Sequence, residues 1–119
     1  MTRDEFDQFC SNLKGTTHVI QWGGASVWKV GGKIFAIAPL YEEAEYQRIS
    51  FKCTELSYDI LTQQEGIIPA PYLARAKWVQ VLEPHGMKDE DIKDYIRTAY
   101  DIIKVKLTKA LQRELGLLD

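Results

Sequence analysis

The sequence predicts an α+β fold: a single antiparallel β-sheet with helices packed on one face, in the order α-β-β-β-β-α-β-α. Three observations carry this. Apolar residues recur at helical spacing near both ends of the chain, residues 17–39 and 48–53 alternate with a period of two, and glycine pairs interrupt the alternating stretch where tight turns would fall. A chain of 119 residues, 45% of them hydrophobic, suits one domain spanning residues 1–119, with a core that needs no disulfide or metal to staple it.

The first helix opens at Thr2, three residues before Glu5, which is the spacing of a capping box. Phe6, Phe9, Cys10 and Leu13 then share one face until Gly15 supplies a stop. Asp4, Glu5 and Asp7 sit in its early turns, where the helix dipole favours negative charge. Strands follow, punctuated by Gly23 and Gly24 and again by Gly31 and Gly32. The second pair supplies the positive φ angles of a two-residue hairpin loop. With that loop, Val30 faces Lys33, Trp28 faces Phe35 and Ser26 faces Ile37, all toward the core, while Val27, Lys29, Ile34 and Ala36 form an outward surface.

A polar connection over residues 41–47, with Glu42, Glu43 and Glu45, leads to a strand over 48–53. There Ile49, Phe51 and Cys53 point inward and Arg48, Ser50 and Lys52 outward. Thr54 caps a second helix running to about Glu65, with Leu56, Ile60 and Leu61 as its buried stripe and Gly66 as terminator. Pro69 and Pro71 make residues 67–71 an extended loop. Residues 77–82 form another strand, ended by Pro84, His85 and Gly86. Asp89, Glu90 and Asp91 open a long final helix whose stripe is Ile92, Ile96, Ala99, Ile103, Leu107 and Leu111, with Lys104, Lys106, Lys109 and Arg113 in its second half.

The motifs Val30-Gly31-Gly32-Lys33-Ile34-Phe35-Ala36, Ile49-Ser50-Phe51-Lys52-Cys53, Pro69-Ala70-Pro71-Tyr72, Lys77-Trp78-Val79 and Ala99-Tyr100-Asp101-Ile102-Ile103 span nearly the whole chain. Together they resemble the successive landmarks of the MmcQ/YjbR family of small bacterial proteins. The resemblance implies a frataxin-like (CyaY-like) fold and a role in binding double-stranded DNA. It also brings in metal handling of the frataxin kind, for which Asp4, Glu5 and Asp7 on the first helix are the candidates.

The residues themselves offer no catalytic constellation: neither His18 nor His85 has an acid at ligand spacing, and both glycine pairs lie between strands instead of opening onto a helix. No enzyme activity, resident metal or cofactor is expected. Cys10 and Cys53 belong to no CxxC pair and read as buried, reduced thiols. No apolar run approaches the roughly 18 to 20 residues that cross a bilayer, and no signal-like block follows the charged start, so a monomer in the cytoplasm is expected.

A net charge of −2 excludes coating nucleic acid by bulk charge, but acids and bases are segregated along the chain. Lys29, Arg48 and Lys52 are expected on the outward sheet face, Lys33 at the hairpin tip as a wing, and Arg75 and Lys77 as an extension of the patch. Trp78, alternating with Gln80, reads first as a buried ring with its N–H satisfied, and an exposed stacking group that joins the nucleic-acid surface is the alternative. The plainer reading of the lysines is a solvated face that discourages edge pairing. A rival function is an adaptor or small-ligand binder using the same face, if Val27, Ile34 and Ala36 join into an apolar patch. The lysines of the final helix are a second phosphate surface or a solvated helix face.

Overall fold

The Thr2 hydroxyl accepts a hydrogen bond from the Glu5 amide at 3.2 Å, and the Glu5 carboxylate accepts one from the Thr2 amide at 3.0 Å. This reciprocal cap starts helix α1, Arg3–Ser11, which buries Phe6 and Cys10. The structure is a computed structural model that describes residues 1–39, 48–82 and 86–118. Beyond α1 come strands β1 (Thr16–Gln21), β2 (Ala25–Val30), β3 (Lys33–Ala38) and β4 (Ser50–Lys52), and helix α2 (Glu55–Leu61). Strand β5 (Ile67–Pro69), a 3₁₀ turn at Ala74–Ala76, strand β6 (Trp78–Val81) and helices α3 (Asp89–Lys104) and α4 (Lys109–Glu114) complete the order. The expected acidic connection at 41–47 and the turn at Pro84 and His85 lie outside the described residues.

The six strands form one antiparallel sheet in the order β1-β2-β3-β4-β6-β5. On one face Trp28, Phe35, Phe51 and Val79 pack with Phe6 of α1, Leu61 of α2 and Ile92, Ile96 and Ile103 of α3. Every buried helical residue of the apolar core belongs to this side, as expected for an α+β layer. Among the described residues no helix is long and apolar enough to cross a membrane.

Four local expectations are corrected. The hairpin does close on Gly31 and Gly32, but Lys29 pairs with Ile34 and Trp28 with Ala36, so Phe35 is an extra residue in β3. This β-bulge turns both Phe35 and Ala36 toward the helices and sends Ile37 to the opposite face. Ser26 therefore faces Ala38, not Ile37. Residues 67–69 form a strand after all, because β5 is a sheet edge and Pro69 is its last residue, where the missing N–H costs no ladder bond.

In α2 the side chains three apart, Tyr58 and Leu61, turn to the core, which leaves Leu56 and Ile60 exposed. The final helix breaks after Lys104: Thr108 accepts from the Leu111 amide at 3.1 Å and starts α4, while buried Leu107 fills the connection.

The second sheet face was expected to be an outward surface. It is instead a smaller core in which Val27, Ile37 and Trp78 are covered by Ala70 and Leu73 from the segment between β5 and β6. Ser50, expected to point into solvent from this face, is buried beside them.

The hairpin that carries Lys33 depends on Gly31. Its φ is 59°, and a Cβ there would lie 2.6 Å from the Leu107 side chain, whereas at Gly32 nothing lies within 4 Å. Gly32→Ala should cost about 1–2 kcal/mol, the strain of a left-handed L-residue. Gly31→Ala should cost a further ~1–3 kcal/mol because buried Leu107 has to yield. Urea denaturation of the two variants measures the difference, and equal midpoints would contradict this packing.

Candidate functional site

Antiparallel alternation decides where the cations go. β2 ends at Val30, β3 starts at Lys33, β4 ends at Lys52 and β6 starts at Trp78, so these termini share one end of the sheet. Lys29, Lys33, Lys52 and Lys77 sit at this end, and exposed Arg75 lies just before it in the 3₁₀ turn. The connection between α3 and α4 reaches the same place, since Leu107 packs against Gly31. It brings exposed Lys106 with it, near enough to act on Lys52.

The expected single outward face is therefore replaced by one end of the sheet. Lys29 pairs with Ile34 on the second face, while Lys33 pairs with Val30 on the helical side. The two straddle the hairpin. Arg48 precedes β4 and so stands at the opposite end, away from the other six cations. Trp78 is only 5% exposed and is not a surface stacking group. Lys77 takes a left-handed turn, φ 62°, and Trp78 then falls opposite Lys52 on the second face. There the Trp78 amide donates to the Leu73 carbonyl and its own carbonyl accepts from the Ala70 amide, which seals the ring under that segment.

Each cation at the basic end is held differently. The Lys52 ammonium donates to the Ala76 carbonyl, where the 3₁₀ turn leaves a free acceptor. The Lys77 ammonium lies 4.8 Å from the centre of the Tyr58 ring, a cation–π contact that fixes it beside α2. Partial burial and then the Lys106 ammonium hold the Lys52 side chain below the ordinary lysine range, and Lys77 adds to this. Glu55 opposes them. Cys53, the next residue, is pushed up to about 11 by burial, although Lys52 and Lys77 pull the other way.

The acids of α1 do not form a ridge. Asp7 turns inward, where its carboxylate accepts from Trp28 Nε1 at 2.9 Å and from the Ser26 hydroxyl. His18 Nε2 contacts that hydroxyl at 2.7 Å and its ring stacks on Trp28 at 4.5 Å. The trio is not ordered as a nucleophile triad, because Ser26 is fully buried and lies between histidine and carboxylate. Glu5 is occupied in the cap, whose Thr2 amide and hydroxyl hold its carboxyl below the usual range. Among the described residues no three His, Cys, Asp or Glu side chains gather to hold a metal ion.

A second feature was not foreseen from the sequence. On the face away from the helices a cleft of about 480 Å³ opens between Trp22, Tyr72, Ile37 and the buried pair Ser50 and Gln80. Period-two alternation alone could have placed Ser50 and Gln80 on one face, but not the segment that walls them in.

A family model described as YjbR matches residues 11–102. The crystal structure of the Deinococcus radiodurans protein DR2400, a DUF419 domain, superposes with a TM-score of 0.86 at 25% identity, covering 99% of this chain and 90% of that one. Among curated proteins nothing matches the chain.

The crowding of Lys52 has a direct test. Its Cε resonance should titrate below the ordinary lysine range, and Lys106→Gln or high salt should move it upward by removing or screening the repulsion. The folded chain binds this proton less tightly than the unfolded one. The group's unfavourable contribution therefore fades as pH rises through the lowered value toward 10.5. A Lys52 titration indifferent to both changes would contradict the arrangement.

Proposed function

The chain belongs to the YjbR family, and from that premise we propose that it is a binding module, not a catalyst, that holds duplex DNA by its phosphates at the basic end of the sheet. The observation that carries this reading is the gathering of ammonium groups from separate segments. Lys52 ends β4, Lys77 precedes β6 and Lys106 follows α3, and the second and third both act on the first. Like charges brought together in this way repel, and a polyanion laid across them offsets the repulsion.

Dimensions agree with the chemistry. From Lys29 on β2 to Lys77 at β6 there are three interstrand spacings, about 14 Å. Over that length one strand of B-form DNA presents about four phosphates. Lys33 at the exposed hairpin tip adds a cation that can follow the backbone beyond the sheet. Phosphate contacts of this kind position a protein without reading bases, so sequence preference is low. A monomeric protein of the bacterial cytoplasm fits this role.

A second reading, small-ligand binding, is favoured by the cleft on the other face. Metal binding by α1 has less support, since Asp7 and Glu5 are both occupied.

Fluorescence anisotropy with a short labelled duplex tests the proposal. The dissociation constant should fall at about 10⁻⁴ to 10⁻⁶ M at physiological salt, with log affinity declining against log salt at a slope of roughly −3 to −4. Joint replacement of Lys33, Lys77 and Lys106 by Glu should abolish binding, while Lys93→Glu, beside Glu5 and Phe9 on the helical side, should leave it unchanged. A salt-independent signal, or a triple variant that binds as well as the parent, excludes this surface.

A further inference from the structure

The sheet face opposite the helices carries a feature that phosphate binding leaves unused. Ile37, Ser50 and Gln80 line the cleft there from β3, β4 and β6, which lie side by side in the sheet. Ala70 and Leu73 wall it on the side of the covering segment. Among the described residues no charged side chain lines it.

Among the described residues Ser50 and Gln80 are the only polar side chains on the floor, and both are buried, at 4% and 8% exposure. They are direct cross-strand partners, and Gln80 Nε2 donates to Ser50 Oγ over a long 3.4 Å. Among the described residues neither side chain makes another hydrogen bond. Whichever way the amide is turned, at least one donor and one acceptor of this cleft-lining pair stay unused. Buried polar groups left in that state are costly unless a partner fills them.

The rim gives a second, independent indication. Trp22 and Tyr72 hold φ at 53° and 67°, a left-handed conformation that bulky L-residues rarely adopt. Trp22 is nevertheless 65% exposed and Tyr72 wholly so, and both line the cleft. Glycine would occupy either position without strain. What the aromatic residues add is two flat apolar surfaces at the mouth, and backbone strain of this kind gathers where ligands are clamped.

We infer that this cleft binds a small, uncharged, flat heteroaromatic molecule whose edge carries a hydrogen-bond donor beside an acceptor, as in a lactam. The rings at the rim select flatness, the apolar walls exclude charge, and the Ser50–Gln80 pair reads the edge. The volume lies within the range of small-molecule pockets. The site lies toward the end of the sheet away from Lys52, so it stands or falls separately from the phosphate surface.

Carbostyril, a bicyclic lactam, is a suitable probe for titration into the isotope-labelled full chain. Saturable shifts are expected at the Gln80 side-chain amide and the Trp22 indole N–H. N-methylcarbostyril, which lacks the donor, should bind about tenfold more weakly or worse, and Gln80→Leu should erase that discrimination. Trp22→Gly and Tyr72→Gly keep the cleft floor and relieve the left-handed strain, so they should hold or raise the melting temperature while weakening carbostyril binding; rings with a purely structural role would not weaken it. The absence of a saturable shift at Gln80 would overturn the inference. So would equal binding of the two carbostyrils, or Overhauser contacts that place another part of the chain or a second copy in the cleft.

Discussion

Phe35 is one residue more than its partner strand can match, and both faces of the sheet are arranged around that surplus. Between Lys29–Ile34 and Trp28–Ala36 the ladder skips a residue, so Phe35 and Ala36 both turn to the helices and the alternation beyond them is reversed. On the helical side Phe35 packs edge-on against Tyr100 of α3, 5.6 Å between ring centres. On the other side Ile37 joins Val27 and Trp78 in the second core, in the place a regular hairpin would have given to Ala36. The same Ile37 forms part of the cleft floor. Without the extra residue Ile37 would turn to the helices and Ala36 would take its place opposite Val27, so the segment carrying Ala70, Tyr72 and Leu73 would lose its largest contact from β3.

The basic end follows from a different constraint, the alternation of strand direction. In an antiparallel sheet every second strand terminus falls on the same side, so lysines at the end of one strand and the start of the next become neighbours although residues 33, 52 and 77 are far apart in sequence. The packing of Leu107 onto Gly31 adds the connection after α3 to this group. Two of the lysines also have local duties, Lys52 on the Ala76 carbonyl and Lys77 over Tyr58. Their charges are thereby fixed in place, which lowers the conformational entropy that binding a polyanion would otherwise have to overcome.

The elements that were legible in the sequence are those governed by neighbours in the chain. The Thr2–Glu5 cap, the Gly31–Gly32 turn, the inward set Ile49, Phe51 and Cys53, and the acidic start of α3 each rest on contacts within a few residues, and each is found. What was not legible depends on contacts between distant segments. No local pattern marks Phe35 as a bulge, because a regular and a bulged hairpin share the same apolar composition. The stripe through Leu107 and Leu111 keeps its spacing across a broken backbone, so periodicity could not see the break that Thr108 makes. Ser50 looked outward, and Trp78 stayed open between a buried ring and a stacking group, because alternation tells which residues share a face and says nothing about what covers it.

If the chain holds duplex DNA as proposed, the DNA lies against the end of the sheet where Lys33, Lys77 and Lys106 meet. Mapping amide shifts on addition of a short DNA duplex tests it most directly. Concerted, salt-reversible shifts are expected at Gly31, Gly32, Lys33, Lys77 and Lys106, with Gln8 and Asn12 of the α1 side unmoved. Shifts confined to that side or to the cleft around Gln80, or no shifts at low salt, would contradict it.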